Sequence, residues 1–203
     1  MVSKRCAQMQ EQMHKMVADQ NLADKIIVDM EKEFDVLCEK YQDLPKDFIH
    51  HTHNNIFPVV VTYDALMNNG YSEEDALNLT SDAFLDLMED IAESIRKMMK
   101  VPGLYKTMPW LWKKLMPVLF SKDAGFEFKF HKEEKGVKFD MTKCPYLDLC
   151  NQLGYPQLAP IFCATDDACY GNMHKYLKWN RTKTMARGGD FCDFDLKIEK
   201  EDK

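Results

Sequence analysis

The chain lacks the features that mark membrane-spanning, secreted and nucleic-acid-binding proteins. Its longest apolar run is the six residues Ile56–Val61, whereas about 20 are needed to cross a bilayer. The first residues contain no apolar segment typical of a secretory signal. Lys and Arg number 27 against 33 Asp and Glu, and nothing in the sequence supplies a basic stripe for phosphates. We therefore expect a cytoplasmic protein that binds neither membranes nor nucleic acid.

The sequence is also without internal repeats and low-complexity tracts. Its 203 residues are 45% hydrophobic, which is enough to bury a core. Seven cysteines are present, and in a cytoplasmic protein they are expected to be reduced thiols or ligands rather than disulfides.

The N-terminal half has helical periodicity. Apolar residues recur at helical spacing over Asn21–Tyr41, and Pro45 ends this region. A second helix is expected over Ile56–Asn69, with Gly70 as its stop. Ser72 begins a third, which continues to about Val101.

The C-terminal half changes to a period of two and predicts two β-hairpins around two helices. The expected elements are strands Phe126–His131 and Val137–Met141, helices Pro145–Leu153 and Pro156–Tyr170, and strands Leu177–Met185 and Phe191–Ile198. The predicted fold class is α+β, with a helical N-terminal half packed on a four-stranded antiparallel sheet. The predicted domains are a helical extension over 1–45, through which a homodimer could form, an α+β domain over 46–198, and a charged tail over 199–203.

Five of the seven cysteines lie in the last third of the chain. Thiolates bind zinc and iron well, so Cys144, Cys163 and Cys192 are candidate soft ligands. However, the two C-x5-C spacings differ from the short C-x2-C pair typical of structural zinc sites. The alternative is that these cysteines are small buried side chains or include one reactive thiol, and we expect no cofactor.

The helix over 156–170 and the last hairpin carry the candidate site. Cys163 and Tyr170 lie seven residues apart and align on one helical face, flanked by Asp166 and Asp167. In the last strand, alternation directs Cys192 toward the core and places Asp193 on the other side. Alternation in Leu177–Met185 leaves two choices open: either Trp179 and Arg181 face inward, or Asn180, Thr182 and Thr184 do.

Two further segments are weighed against simpler interpretations. His50-His51-Thr52-His53 resembles a metal-binding group, but its imidazoles do not share one helical face, so Thr52 or Asn54 is expected to be an N-cap. The segment Pro109–Phe120 combines Trp, Leu and Lys as in a membrane-interface helix. Because Pro117 interrupts it, we instead expect this segment to cover the sheet.

Several of these residues together resemble the L-2-amino-thiazoline-4-carboxylic acid hydrolase family. The similarity covers roughly His50 to Leu196, through the segments His51-Thr52, Ile56-Phe57-Pro58, Cys144-Pro145-Tyr146, Pro160–Asp167, Tyr170-Gly171, Arg181–Thr184 and Gly188–Phe194. It implies a bacterial enzyme of cysteine metabolism that opens the thiazoline ring with water to give N-carbamoyl-L-cysteine.

Such a substrate has an amidine-like carbon at one end and a carboxylate at the other. Asp166 or Asp167 could accept the amidinium N–H groups, and Arg181 could bind the carboxylate, with Thr182, Tyr170 and Asp193 as further substrate-binding candidates. The nucleophile is either a thiolate, from Cys163 or Cys192, or a water activated by a carboxylate or by His174. We favour the aspartate-activated water, because nearby aspartates oppose thiolate formation. The rival hypothesis is a non-catalytic ligand-binding, metal-binding or redox-sensing protein.

Overall fold

The computed structural model describes residues 2–133 and 135–199 and has an α+β fold, as the sequence predicts. The described part of the chain divides between Leu87 and Met88 into two compact units. The expected domain limits and the packing of the helical half on the sheet stay predictions. Beyond Glu199, the predicted charged tail lies outside the described residues. Within the described residues, no helix is both long and apolar enough to cross a membrane.

The N-terminal half is helical, as its periodicity predicts, although it contains further helical segments before residue 20 and between residues 46 and 56. In chain order, the helical elements are α1 (Lys4–Met16), α2 (Gln20–Lys40), α3 (Lys46–His51), a π-helical turn (Thr52–Ile56), α4 (Phe57–Asn68) and α5 (Glu73–Met99), which runs across the boundary between the units. Ser72 Oγ accepts a hydrogen bond from the backbone N–H of Asp75 at 3.1 Å, as the predicted capping pattern requires.

The first unit is held by an apolar contact between α2 and α4. Phe34 and Phe57 are almost completely buried and meet edge to face, with ring centroids 6.3 Å apart. The expected N-cap at Thr52 or Asn54 is wrong. The chain stays helical from α3 through the π-helical turn into α4, and the Thr52 hydroxyl donates to the backbone oxygen of Ile49 instead.

The second unit contains the four-stranded antiparallel sheet. Its elements after α5 are α6 (Met108–Leu119), β1 (Glu127–Phe130), β2 (Gly136–Lys143), α7 (Pro145–Leu153), α8 (Ala159–Tyr170), β3 (Leu177–Asn180) and β4 (Cys192–Ile198), with sheet order β1-β2-β4-β3. Buried side chains alternate along β2 and pair with those of β4, so that Phe139 lies opposite Phe194. The two rings stack 4.7 Å apart.

β3 ends at Asn180, five residues before the predicted end of that strand at Met185. Its ladder with β4 stops at the pair Asn180–Asp195. Beyond that pair, the backbone N–H groups of Thr182 and Lys183 donate to the side chain of Asp193, at 2.9 and 2.8 Å. The side chain of Asp193 therefore engages two consecutive backbone N–H groups at the point where the ladder ends.

Because Phe139 lies at the centre of the second unit's aromatic packing, we expect the stability of the protein to depend strongly on this residue. This ring is 1% exposed and contacts Trp112, Phe128, Phe130 and Phe194. We expect Phe139→Ala to lower the free energy of unfolding by about 3–5 kcal/mol, because the cavity cannot collapse within the sheet. Urea denaturation measures this change. The matched variant Lys129→Ala, on the exposed side of β1, should change stability by less than about 0.5 kcal/mol. Equal losses in the two variants would contradict this description of the core.

Candidate active site

A buried guanidinium joins the end of β3 to α8. The side chain of Arg181 is only 2% exposed. It donates to Oδ2 of Asp166 at 2.9 Å, to Oδ2 of Asp167 at 2.7 Å and to the backbone oxygen of Cys163 at 2.6 Å. The structure thus brings together four residues that the sequence analysis named, at the place where the helix and the hairpin meet. It also decides most of the choice left open by alternation, since Trp179 pairs with the buried Leu196 and Arg181 turns inward after it, whereas Asn180 and Thr182 are exposed. Thr184, from the other alternative, is also buried, because the strand ends at Asn180 and alternation does not continue beyond it.

Aromatic rings surround this ion-pair network. The guanidinium carbon lies 5.8 Å from the ring centre of Trp179 and 5.5 Å from that of Phe194. The indole N–H of Trp179 donates to Oδ1 of Asp167 at 2.9 Å, so both oxygens of this carboxylate accept hydrogen bonds. The sequence analysis did not assign this role to Trp179, although the position of Trp179 two residues before Arg181 on one strand face was a usable signal. The buried charge of Arg181 is therefore paired with carboxylates whose positions are held by further hydrogen bonds.

The ionisation of Arg181 follows from this pairing. Burial alone would lower the pKa of its guanidinium, but Asp166, Asp167 and Cys163 raise it, and the increase outweighs the decrease. Arg181 is consequently charged at any pH at which the protein is folded.

Asp166 differs from Asp167 in having one oxygen that takes no part in the network. Its Oδ2 accepts from Arg181, whereas its Oδ1 accepts no hydrogen bond from the residues that the structure describes. Its side chain is 29% exposed. Burial raises the pKa of Asp166 to about 7, with Arg181 opposing the increase and Asp167 adding to it. A carboxyl group with a pKa near neutrality and an unused oxygen can take a proton from a bound molecule.

The thiols near this network are poor nucleophiles at neutral pH. Burial raises the pKa of Cys163 to about 11 and that of Cys144 to about 12, and it also raises the pKa of Cys192. Arg181 lowers the pKa of Cys163 but does not compensate for the burial. Cys192 Sγ accepts a hydrogen bond from the backbone N–H of Met185 at 3.2 Å. Since the thiolate is the reactive form, these cysteines are walls of the site rather than activated groups.

Metal ligation has no support in the part of the chain that the structure describes. There, no group of three or more His, Cys, Asp or Glu side chains is arranged to hold a metal ion. The three cysteines proposed as soft ligands, Cys144, Cys163 and Cys192, affect one another's pKa but do not form such a group.

Thr182 and Asp193, both predicted to bind substrate, bind each other. The hydroxyl of Thr182 donates to Oδ2 of Asp193 at 2.6 Å, and two backbone N–H groups donate to Oδ1. Burial alone would raise the pKa of Asp193. The donors outweigh this effect and lower the pKa. The arrangement makes Asp193 a clasp for the loop that carries Arg181.

The last two predicted site residues, Tyr170 and His174, lie in different surroundings. The ring of Tyr170 packs against Trp112 at 4.6 Å and Trp179 at 5.4 Å, one helical turn from Asp166. Burial, with Asp166 nearby, raises its pKa, so its hydroxyl stays protonated. His174 stacks on Tyr105 at 4.2 Å, and its Nδ1 accepts from the backbone N–H of Tyr176. Among the described residues, no hydrogen bond or ring contact connects His174 with the Asp166–Arg181 pair.

Because Asp193 holds the loop as an ionised carboxylate, we expect its contribution to the free energy of unfolding to depend on pH. Asp193→Asn should lower the free energy of unfolding by about 1 kcal/mol near neutral pH, because the amide cannot accept the Thr182 hydroxyl at its nitrogen. The folded pKa of Asp193 lies below the unfolded value of about 4, so the stabilisation is full above that value and is lost as the pH falls through the folded pKa. Denaturant titrations from neutral to acidic pH should therefore show parent and variant converging. The exposed control Asp123→Asn should show no such convergence. A difference that stays constant on acidification would contradict the ionised clasp.

The comparisons with known proteins agree with the resemblance seen in the sequence. A family model described as L-2-amino-thiazoline-4-carboxylic acid hydrolase matches residues 50–196. No curated protein and no solved structure matches the chain. The match covers α8, β3, all but the last two residues of β4 and every residue of the ion-pair network. The chain therefore belongs to the L-2-amino-thiazoline-4-carboxylic acid hydrolase family.

Proposed function

We propose that the protein is a small-molecule hydrolase, as the family name suggests. It adds water to the amidine-like carbon of a cyclic substrate and thereby opens the ring. The substrate proposed is L-2-amino-thiazoline-4-carboxylate and the product N-carbamoyl-L-cysteine. The observation that carries the proposal is the Asp166 carboxyl group, which has one unused oxygen and a pKa raised to about 7 beside a buried guanidinium. The cytoplasmic location, the bacterial source and the formation of a homodimer stay predictions.

In the proposed reaction, Oδ1 of Asp166 removes a proton from water while the water oxygen bonds to C2 of the ring. The electron pair of the C2–N double bond moves to the ring nitrogen, which takes up the proton that Asp166 has removed from the water. The hydroxyl group on the resulting tetrahedral carbon gives its proton to the freed Asp166 carboxylate as the carbonyl group forms and the C2–S bond breaks. The sulfur leaves with the electron pair of that bond and takes a proton from its donor, and Asp166 returns its proton to that donor, so both groups end the cycle as they began. Because its hydroxyl stays protonated and lies one helical turn from Asp166, Tyr170 is the proposed donor for the sulfur.

The geometry favours a positioning role for Arg181. The sequence predicts that Arg181 and the aspartates bind opposite ends of the substrate, whereas in the structure they are in direct contact with each other. Three of the five N–H groups of Arg181 are engaged and its side chain is only 2% exposed, so a substrate carboxylate has little access to the guanidinium. We infer that Arg181 holds Asp166 and Asp167 in place. Thr182 and Asp193 are engaged with each other, and their proposed contact with substrate has no further support.

Of the rival hypotheses, metal binding and redox sensing have no observation in their favour among the described residues, and a non-catalytic ligand-binding protein stays the alternative. Sensor cysteines have lowered pKa values, but burial raises the pKa of Cys163 and Cys192. Thiol attack on the substrate is disfavoured for the same reason, which leaves the aspartate-activated water as the proposed nucleophile.

The test is turnover of the thiazoline carboxylate, followed by mass spectrometry of the ring-opened product. We expect Asp166→Asn to lower kcat by about a hundredfold or more, because an amide cannot accept the water proton. In the parent, kcat should rise as the pH is raised through about 7 and then level off, since Asp166 must be deprotonated to act as the base. This rise should be absent from the residual activity of the variant.

The matched control is Asp123→Asn, which removes an exposed carboxylate in the same unit and should leave turnover unchanged. Circular dichroism shows whether each variant is folded. Parent-like turnover by folded Asp166→Asn would exclude Asp166 as the base. Absence of turnover by the parent would exclude this substrate.

A further inference from the structure

The helix α6 has one face that packs on the sheet and another that is apolar but exposed. On the inner face, Trp112 is 6% exposed and contacts Phe139, with ring centroids 6.4 Å apart. This face fulfils the expectation that the segment covers the sheet. On the outer face, three apolar side chains are exposed and lie within about 140° of one another around the helix axis: Trp110 (64% exposed), Leu115 (41%) and Val118 (72%). Leu119 is 53% exposed, but it lies at the end of the helix in the direction of the inner face. The three outer residues form a patch that marks an interaction surface.

The charged residues of α6 are lysines: Lys114 lies between Trp110 and Val118, and Lys113 lies at the edge of the outer face, with its Nζ 6.0 Å from the ring centre of Phe130. The first acidic residue after the helix is the exposed Asp123. The stretch from Lys106 to Lys122 contains four lysines, Lys106, Lys113, Lys114 and Lys122, and no Asp or Glu, although the whole chain has a net charge of −6. All four are exposed. The outer face is therefore a local basic and apolar surface on an acidic protein, with Trp110 near the beginning of the helix.

The charges decide between the partners that could cover such a face. In a symmetric dimer formed through α6, the lysines of the two copies would be brought together without acidic groups from this stretch to pair with them. A membrane surface with anionic lipids offers the opposite charge, and its headgroup region suits Trp side chains and the long stems of lysines. Pro117 does not exclude this arrangement, because α6 continues through it to Leu119.

In place of the expectation that the protein binds no membrane, we propose that the outer face of α6 docks on membranes that contain anionic lipids, with the helix lying in the plane of the interface. Trp110, Leu115 and Val118 enter the headgroup boundary, and Lys113 and Lys114 contact lipid phosphates. The contact is peripheral, since a helix of 12 residues is too short to cross a bilayer. It depends on salt, because the attraction between lysines and lipid phosphates is screened by ions. It is independent of the proposed hydrolase activity.

The test is co-sedimentation of the full chain with vesicles of phosphatidylcholine mixed with phosphatidylglycerol, compared with vesicles of phosphatidylcholine alone. We expect binding to the mixed vesicles only, weakened by added salt. The double variant Lys113→Glu, Lys114→Glu should weaken binding at least about tenfold, because each lysine near an anionic surface contributes about 1 kcal/mol. Trp110→Ser combined with Val118→Ser should weaken it by a similar factor.

Matched controls change the same residue types on α2. Lys25→Glu with Lys32→Glu reverses the same number of exposed charges, and Val28→Ser with Val36→Ser removes side chains that are 56% and 52% exposed. Both controls should bind as the parent does. Lack of parent binding to the mixed vesicles at low salt, or equal losses in the α6 and α2 variants, would overturn the proposal. Concentration-dependent association of the parent that Trp110→Ser abolishes, without vesicle binding, would assign the face to self-association instead.

Discussion

The buried guanidinium of Arg181 is the interaction on which the candidate site depends. It makes hydrogen bonds to three residues of α8, and its own position comes from the chain that follows β3. A guanidinium at 2% exposure is tolerated because two carboxylates and a backbone oxygen replace the water it has lost. The same contacts fix the carboxylates of Asp166 and Asp167 in defined orientations. One long side chain therefore joins the helix, the hairpin and the acidic groups.

The two neighbouring aspartates are made chemically different by their surroundings. Both oxygens of Asp167 accept hydrogen bonds, whereas Asp166 keeps one oxygen that no described residue engages. Burial then favours the protonated form of Asp166, so its pKa lies near the pH at which a general base is most effective. The rings of Trp179 and Phe194 lie against the guanidinium, and the nearby thiol of Cys163 stays protonated, so neither supplies a second base beside Asp166. The division of roles is typical of carboxylate pairs in active sites.

Many of the helices and strands could be predicted from the sequence, because their apolar residues recur with the period of each element. Helical spacing located α2, α5 and α8, and alternation located β2 and β4 and the inward direction of Cys192. The early end of β3 was not readable, since it depends on Asp193 taking backbone donors from residues eleven and ten positions earlier. For the same reason, the direct contact between Arg181 and the aspartates was not predicted, and each of them was instead expected to contact the substrate. Which partner a charged side chain finds is decided by tertiary geometry, and local spacing does not contain it.

The most direct measurement of the central claim is a double-mutant cycle on Arg181 and Asp166, read as the free energy of unfolding. The single variants are Arg181→Gln and Asp166→Asn, with their combination as the fourth corner. Arg181→Gln leaves both carboxylates without their cation, and Asp166→Asn leaves Arg181 with Asp167 as its remaining ionised partner. We therefore expect a coupling of about 1–2 kcal/mol, reduced from that of a fully buried pair because Asp166 is partly exposed. Effects that add to within about 0.5 kcal/mol would contradict it, because the guanidinium would then not be holding the carboxylate.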